Sequence, residues 1–500
     1  MEMLANLSDG AAMALTWSAI FYCLIGVTLG MIVGVLPGIG PLPAIAMLLP
    51  ITFYIQPAEA IIMLAGIYYG GQYGGSTASI LLNLPGTPAA AVTCLEGYPM
   101  ARKGRAAVAL FMTAIASLWG SIVGIVLVAA FAPALARIAL QFGAAEYFSL
   151  LVFALLGAAA VGSGTLLRSL AMIVLGLVLG IVGQDVNSGD LRFTFDVPAF
   201  ADGLNLVAVA MGVFGVSEII ATATTKVGQR PERFSFSAMM PTREEWRRSK
   251  PAMARGSIIG SVCGILPGAG AAMASFMAYA VERRISKHPE RFGTGEIEGL
   301  AAPESANNAT AQAAFIPTLT LGIPGDAVMA VMIGALMIHG ITPGPTFIAD
   351  NPTMFWSLVV SFLVGNAMLV VLNIPFVGVW TRLLQVPYHA LYPIILVLVA
   401  VGVYSINSSV VDILLVAGFG LVGYLLMKLE FPPAPLVLAF ILSPMLEENF
   451  RRALLLSRGD ATVFLRHPIS AAFLAVSALI VVGSIVGALR FRRRGEGAGS

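Results

Sequence analysis

The segment GVTLGMIVGVLPGIG, residues Gly26 to Gly40, determines how the whole chain is interpreted, because a close copy follows about 230 positions later as GSIIGSVCGILPGAG. Six positions agree in type and spacing: Gly26 with Gly256, Gly30 with Gly260, Gly34 with Gly264, Pro37 with Pro267, Gly38 with Gly268 and Gly40 with Gly270. Glycines four residues apart lie on one side of a helix and let another backbone approach closely. The following Leu-Pro-Gly should end the helix, since proline removes a backbone donor and glycine adds conformational freedom.

The composition indicates a chain that is embedded in a lipid bilayer. Of its 500 residues, 58% are hydrophobic and 11% are charged, whereas soluble proteins carry roughly a quarter charged residues. Uncharged apolar runs recur along the chain at the length of about 20 residues that a membrane-spanning helix needs, and the strands of a membrane barrel would instead show alternating segments of about ten. We therefore predict an all-α, polytopic integral membrane protein with about 11–12 transmembrane helices plus re-entrant or broken helices.

Residues with catalytic or metal-binding chemistry form no recognisable pattern. The three cysteines lie in apolar surroundings without a CxxC pair, and the four histidines are scattered without metal-ligand spacing. The segments LPGIG and LPGAG lack the lysine and the flanking strand of a phosphate-binding loop. We expect no enzyme activity, no metal site and no cofactor. The near balance of 28 basic and 26 acidic residues says nothing about a partner, and we expect no nucleic acid among the partners.

The distribution of charge predicts a topology. The loop from Lys226 to Arg255 carries eight Lys or Arg, and the C-terminal tail is also basic, so both are expected on the cytoplasmic side. Counting back places the aspartate-rich loop from Asp185 to Asp202 outside. The first ten residues contain no Lys or Arg, so a cleavable signal peptide is not expected and the first helix should remain in the mature protein.

The two halves align beyond the opening motif, because Leu82–Thr87 (LNLPGT) corresponds to Leu321–Asp326 (LGIPGD). Each half then contains one hairpin or re-entrant pair, one broken helix and four plain helices. An odd number of crossings per half predicts an inverted repeat. The basic residues Arg451, Arg452, Arg458 and Arg466 would then lie outside, which leaves a parallel repeat as the alternative. The predicted units are a first repeat at 11–225, a basic cytoplasmic linker at 226–251, a second repeat at 252–466, a C-terminal helix at 470–489 and a basic tail at 490–500.

Polar residues cluster beside the predicted breaks in both halves, and polar groups at membrane depth are costly enough to indicate function. The candidate substrate-binding residues are Pro37, Gly38, Gly40, Gly74, Gly75, Ser76, Thr77, Asn83, Pro85, Gly86, Thr87, Pro267, Gly268, Gly270, Asn307, Asn308, Thr310, Pro324 and Gly325. Where a helix is interrupted, freed N–H groups can face an anion and freed carbonyls a cation. The small residues could instead serve helix packing.

Three residues are candidates for coupling to a cation. Asp326 follows directly after a predicted break inside an apolar segment, so it could coordinate a cation or carry a proton, the alternative being a helix N-cap. Glu304 belongs to the same polar region and could equally lie at the membrane interface. Thr320 completes the group.

Four long motifs resemble one known family. They begin at GVLPGIGPLPAIAMLLP, YYGGQYGGSTASILLNLPGTPAAA, GILPGAGAAMASFMAYAVERRISK and APESANNATAQAAFIPTLTLGIPGDAV, and they are similar to the large permease subunit of the tripartite tricarboxylate transporters, the TctA family. The resemblance implies a multi-pass protein of the bacterial inner membrane that works with a small four-helix membrane subunit and a periplasmic solute-binding protein. It also implies that an ion gradient, not ATP, drives uptake of a carboxylate.

The residues and the resemblance together predict a secondary transporter subunit for a di- or tricarboxylate or a related organic anion, coupled to Na⁺ or H⁺. The same repeats and polar breaks could build a passive organic-anion channel, which is the alternative. Accumulation of substrate against its gradient distinguishes the two.

Overall fold

A computed structural model describes residues 2–36, 40–161, 165–185, 188–222, 239–266, 270–383, 393, 396–397, 399–401, 403–404 and 408–496. The protein is 81% helical with almost no strand, which confirms the predicted all-α, polytopic class. In chain order the helices are α1 (Glu2–Ala14), α2 (Trp17–Val35), α3 (Pro41–Thr52), α4 (Pro57–Leu82), α5 (Ala91–Arg102), α6 (Ala106–Ala139), α7 (Ala144–Val161), α8 (Leu166–Gly180), α9 (Leu206–Ala210), α10 (Ser217–Thr222), α11 (Arg243–Ile265), α12 (Gly270–Ile285), α13 (Ile297–Ala313), α14 (Phe315–Leu321), α15 (Ala327–Ile338), α16 (Phe347–Asp350), α17 (Pro352–Asn373), α18 (Val377–Leu383), α19 (Val410–Lys428), α20 (Pro433–Leu456), α21 (Val463–Arg466) and α22 (Pro468–Glu496).

Shorter elements complete the chain. A π-helical turn, Met211–Val216, joins α9 to α10, and 3₁₀ turns occupy Pro88–Ala90, Pro198–Phe200 and Pro289–Arg291. Strands β1 (Gly183–Gln184) and β2 (Leu191–Arg192) form an antiparallel pair.

The two Leu-Pro-Gly segments interrupt helices as predicted. Helix α2 ends at Val35 and α3 begins at Pro41, while α11 ends at Ile265 and α12 begins at Gly270. Gly40 and Gly270 both have positive φ, 66° and 65°, a conformation that glycine adopts without steric cost. Pro37, Gly38, Pro267 and Gly268 lie outside the described residues.

The glycine stripes produce the same close helix packing twice. A Cβ atom on Gly30 would lie 2.5 Å from the carbonyl oxygen of Ile67, and one on Gly260 would lie 2.1 Å from that of Ala306. Gly26 and Gly34 repeat this contact in the first half, as Gly256 and Gly264 do in the second. Helix α2 is therefore seated directly on the backbone of α4, and α11 on the backbone of α13.

The polar helices α4 and α13 lie at the centre of the molecule. Helix α4 is buried from Ala60 to Ile80, and α13 is buried from Gly299 to Ala313. The long helix α6 also packs against α13, where a Cβ on Gly120 would come within 2.1 Å of the Ser305 carbonyl oxygen. Polar side chains on these helices are thus held away from both lipid and water.

The two halves contact each other reciprocally around this centre. Helix α3, from the first hairpin, contacts α15, which follows the second break, and α12, from the second hairpin, contacts the 3₁₀ turn that follows the first break. Each hairpin therefore lies against the broken helix of the other half. The inverted or parallel orientation of the repeats stays a prediction.

Within the described part of the chain, four helices are long and apolar enough to cross a membrane by length and composition, namely α2, α6, α17 and α19. Shorter apolar helices occur at 144–160, 166–180, 206–221, 327–338 and 468–483. Of these helices, α2, α6, α15 and α17 pack against α4, and α6 also packs against α13.

Candidate functional site

The second break places a carboxylate at the start of a helix. Helix α14 ends at Leu321, Gly322 follows in the left-handed conformation with φ 69°, and Asp326 caps α15 by accepting a 2.9 Å hydrogen bond from the backbone N–H of Met329. Its other carboxylate oxygen accepts a 2.6 Å hydrogen bond from the hydroxyl of Tyr68, on α4 of the first half. Asp326 therefore serves as an N-cap and also joins the two halves.

The first break has the same backbone conformation as the second, but the residue at its N-cap is not acidic. Helix α4 ends at Leu82, and Asn83 follows in the left-handed conformation with φ 57°. Thr87 then accepts a 3.4 Å hydrogen bond from the N–H of Ala90 and donates one of 3.3 Å to the side-chain oxygen of Gln72. Asn83 and Pro85 are exposed, whereas Gly86 is buried against the carbonyl of Gly34.

Glu304 is the second carboxylate of the site; it is buried, whereas Asp326 is partly buried, and hydroxyl groups surround Glu304. Ser76 of α4 donates a 2.7 Å hydrogen bond, Ser117 of α6 one of 3.3 Å, and Thr93 of α5 a third. Only 1% of Glu304 is exposed. A carboxylate among hydroxyl oxygens supplies the oxygen-only ligand set that hard cations prefer, and it could equally hold a proton.

Helix α13 also buries polar groups that have no partner in the described part of the chain. Both side-chain polar atoms of Asn307 and of Gln312, and the side-chain oxygen of Asn308, lack a hydrogen bond. Each such group costs about 1–3 kcal/mol when left unsatisfied. Glu304, Asn308 and Gln312 recur every four residues and so share one helix face. These unpaired groups lie together on one helix and form a polar lining. A bound solute would satisfy their hydrogen bonds.

Other predicted residues make local contacts. The hydroxyl of Thr310 donates to the carbonyls of Gly260 and Ala306, and that of Thr320 donates to Ile316 of its own helix. A Cβ on Gly74 would meet the Met31 carbonyl at 2.4 Å, and one on Gly75 would meet the Thr87 hydroxyl at 2.9 Å.

The remaining predicted residues lie in or near the breaks. Thr77 is buried in α4, and Pro324 and Gly325 are buried in the second break. Gly270 lies beside Asp326, since a Cβ on it would be 3.7 Å from the Asp326 Cβ.

Three partners of the two carboxylates, Tyr68, Thr93 and Ser117, are absent from the sequence-based set, and so is Gln312, which shares the helix face of Glu304. Tyr68, Thr93, Ser117 and Gln312 belong to apolar or helical stretches away from the breaks. Gln312 shows a usable sequence signal, namely its four-residue spacing from Glu304 and Asn308. Tyr68, Thr93 and Ser117 become neighbours of the carboxylates only through tertiary packing, and no local pattern indicates them.

Glu96 fastens two helices beside this site. Its carboxylate, fully buried on α5, accepts hydrogen bonds from the Tyr279 hydroxyl at 2.8 Å and from the backbone N–H groups of Gly295 and Glu296 at 2.7 Å each. The N–H of Gly293 is a further donor. The residues just before α13 therefore bind a carboxylate of the chain itself.

Comparison with known proteins identifies the family of the chain. Residues 20–438 match the sequence profile of the Tripartite tricarboxylate transporter TctA family. The chain is 49% identical over 493 residues to a protein of Agrobacterium vitis named "Uncharacterized 52.8 kDa protein in TAR-I ttuC' 3'region", covering 99% of this chain and 98% of that one. A second protein of that organism, "Uncharacterized protein in TAR-II ttuC' 3'region", is 47% identical over 234 residues, which is 47% of this chain and 97% of the relative. No solved structure matches. The profile covers most of the sequence, and the chain belongs to the TctA family of tripartite tricarboxylate transporters.

Proposed function

We propose that this chain is the large permease subunit of a binding-protein-dependent secondary transporter that imports a di- or tricarboxylate, or a related organic anion, across a bacterial inner membrane. A Na⁺ or H⁺ gradient drives the uptake. Family membership supports the role of transporter component, and it gives no support to an enzyme. The observation that carries the coupling proposal is the pair of second-half carboxylates, Asp326 and Glu304, that hydroxyl groups of the first half hold beside a helix break.

The geometry suggests how coupling would work. Removing a charged carboxylate from water is costly when its partners are only neutral donors, so the buried Glu304 and the partly buried Asp326 favour states in which a cation or a proton neutralises them. The anion would occupy the polar lining around Asn307, Asn308 and Gln312, close to that added positive charge. Cation and anion would then stabilise one another in a site of low dielectric, since charges attract more strongly there than in water.

Two partners complete the proposed system. A periplasmic solute-binding protein would capture the anion and deliver it to the outer face, and a small four-helix membrane subunit would accompany the permease. Movement of the site between the two faces would release the anion inside.

The decisive experiment measures uptake in proteoliposomes that contain all three subunits and labelled citrate, with malate and tartrate as further probes. Accumulation should require an inward Na⁺ or H⁺ gradient. Equal uptake with and without a gradient would favour the passive channel. Asp326→Asn should remove accumulation while the protein still inserts and purifies normally, whereas Asp350→Asn, the same change at an exposed carboxylate at the end of α16, should leave accumulation intact.

A further inference from the structure

A cavity of about 490 Å³ lies apart from the buried carboxylates. Its walls are the connection between α6 and α7, residues 343–346 and one face of α20. Sites for small ligands commonly enclose about 300–1,000 Å³, so the cavity is large enough for an organic acid of a few carbons.

The cavity contains a cationic side chain that is free to bind an anion. Arg452 lines it and has no carboxylate within 4.0 Å among the residues that the structure describes. The neighbouring Arg451, in contrast, forms ion pairs with Asp185 at 3.1 Å and with Glu447 at 2.7 Å. Arg451 therefore anchors α20 to the loop that carries Asp185, and Arg452 remains available.

Further polar groups converge on the same space. Tyr147 lines the cavity, and its buried hydroxyl has no hydrogen-bond partner in the described part of the chain. Asn449 lines it as well, one turn before Arg452. Glu448 is also part of the lining, and its negative charge offsets some of the attraction of Arg452 for an anion. A ligand would thus be held weakly, as a site on a transport path requires.

The cavity borders the second break directly. Leu321, the last residue of α14, is part of its wall. The N–H of Gly344 donates a 3.0 Å hydrogen bond to the carbonyl of Leu319, and a Cβ on Gly322 would lie 2.9 Å from the carbonyl oxygen of Pro343. The loop that forms the cavity therefore rests on the interrupted helix that leads to Asp326.

From these observations we infer that the cavity is an entry site for a small polycarboxylate, with Arg452 as its anion-binding group and the second break as its inner wall. The predicted topology places this end of α20 outside the cytoplasm, where a solute-binding protein would release its cargo. The inference rests on the proposed function in one respect, namely that the anion bound here is the transported one.

The test measures the reactivity of a cysteine placed in the cavity of the full chain, reconstituted with its partner subunits. Thr346, an exposed residue of the lining, is changed to Cys after Cys23, Cys94 and Cys263 are replaced by Ala. When each rate is divided by that reagent's rate with a free thiol in solution, a sulfonate-bearing methanethiosulfonate reagent should react faster and its trimethylammonium counterpart more slowly, each by up to roughly fivefold for one cation about 4 Å away in water. Millimolar citrate should slow both reactions, and acetate should slow them much less.

Variants of arginine then assign the effect. Arg452→Gln should remove the preference for the anionic reagent and the protection by citrate, and in uptake assays it should raise the half-saturating concentration while leaving the maximal rate nearly unchanged. Arg466→Gln removes the same charge from an exposed residue outside the cavity lining and should change neither property. Equal normalised rates for the two reagents, a cysteine that reacts with neither, or citrate protection that survives Arg452→Gln would each overturn the inference.

The two proposals fail separately. Citrate protection at position 346 without gradient-driven uptake would leave the cavity as an anion site and remove the coupled transporter. Gradient-driven uptake without protection would retain the transporter and remove the cavity from its path.

Discussion

The two helix breaks share a backbone and differ in charge. In both, a left-handed residue ends the incoming helix, Asn83 in one and Gly322 in the other, and an N-cap four residues later starts the next helical segment. The cap is the neutral Thr87 in the first half and the acid Asp326 in the second. The spacing that aligns these caps also places Ala65 opposite Glu304.

The comparison shows how two halves with similar backbones contribute different side chains to one polar site. The two acids Asp326 and Glu304 belong to the second half, and the hydroxyl groups that hold them, from Tyr68, Ser76, Thr93 and Ser117, belong to the first. Both halves share the glycine packing, while at Asp326 and Glu304 the second half supplies the acceptors and the first half the hydroxyl donors; Glu96 of the first half is the reverse case, because it accepts from groups of the second half. The site therefore depends on both halves being together.

The largest loss of transport should follow from a substitution that makes the second break resemble the first. Asp326→Thr retains a side-chain oxygen for the N–H of Met329 but removes the carboxylate that Tyr68 contacts. We expect gradient-driven uptake to fall to the level of liposomes without protein, and the free energy of unfolding in detergent to fall by about 1–3 kcal/mol, because the buried hydroxyl of Tyr68 loses its acceptor. Thr87→Ser, which preserves the cap of the first break, is the control and should transport normally. Recovery of uptake in the double variant Thr87→Asp, Asp326→Thr would show that the two breaks are interchangeable and would break the comparison.

The next effect concerns the acid that aligns with Ala65. Glu304→Ala should destabilise the protein by about 1–3 kcal/mol for each buried hydroxyl left without an acceptor, measured as a lower midpoint of thermal or denaturant unfolding in detergent. Glu304→Gln retains one acceptor oxygen and should lose less stability, yet its dependence of uptake on the cation gradient should change. Identical stability of the Ala and Gln variants would show that the hydroxyl contacts do not support the fold.

A smaller and symmetric effect is expected from the glycines that the halves share. Gly30→Ala and Gly260→Ala should each cost about 1–3 kcal/mol, because the added methyl group meets a carbonyl of the adjoining helix and overpacks the contact. Gly418→Ala, on α19, meets nothing within 4 Å and should be neutral or slightly stabilising. Unequal losses at Gly30 and Gly260, read from thermal unfolding in detergent, would mean that the two contacts are not equivalent.

The smallest expected change in unfolding free energy concerns the two residues in the left-handed conformation, Asn83 and Gly322. Asn83 is exposed, so Asn83→Gly should change the unfolding free energy by only about 0.5 kcal/mol or less, as surface substitutions usually do. Gly322→Asn keeps a residue type that tolerates positive φ, but its Cβ would lie 2.9 Å from the Pro343 carbonyl, so it should be the more destabilising change. Equal unfolding midpoints for the two variants would contradict the tighter packing of the second break.

Much of the fold was predictable because it depends on local chemistry. Glycine spacing and Leu-Pro-Gly segments predict where α2 and α11 end, and the alignment of the halves predicts the breaks after Leu82 and Leu321. These features follow from the conformational preferences of glycine and proline, and the positions of both residue types can be read from the sequence.

The candidate site was predictable only in its backbone and its acids. Asp326 and Glu304 are conspicuous as charges in apolar sequence, and the structure brings both into contact with the other half. Their partners Tyr68 and Thr93 are ordinary residues of their helices, and they are 258 and 211 positions away from the acids they contact. Such pairings are set by helix packing across the halves, and periodicity carries no information about them.

The carboxylate of Glu96 has a mechanical consequence for any alternation between the two faces of the membrane. It ties α5 to the start of α13 and to Tyr279 of α12, and Thr93, one turn earlier on α5, ties the same helix to Glu304 further along α13. Two attachment levels prevent α5 and α13 from sliding or rotating past one another without breaking buried hydrogen bonds. We therefore expect these helices, with the attached part of α12, to move as one block, so that the hinges of the proposed alternation would lie elsewhere in the molecule.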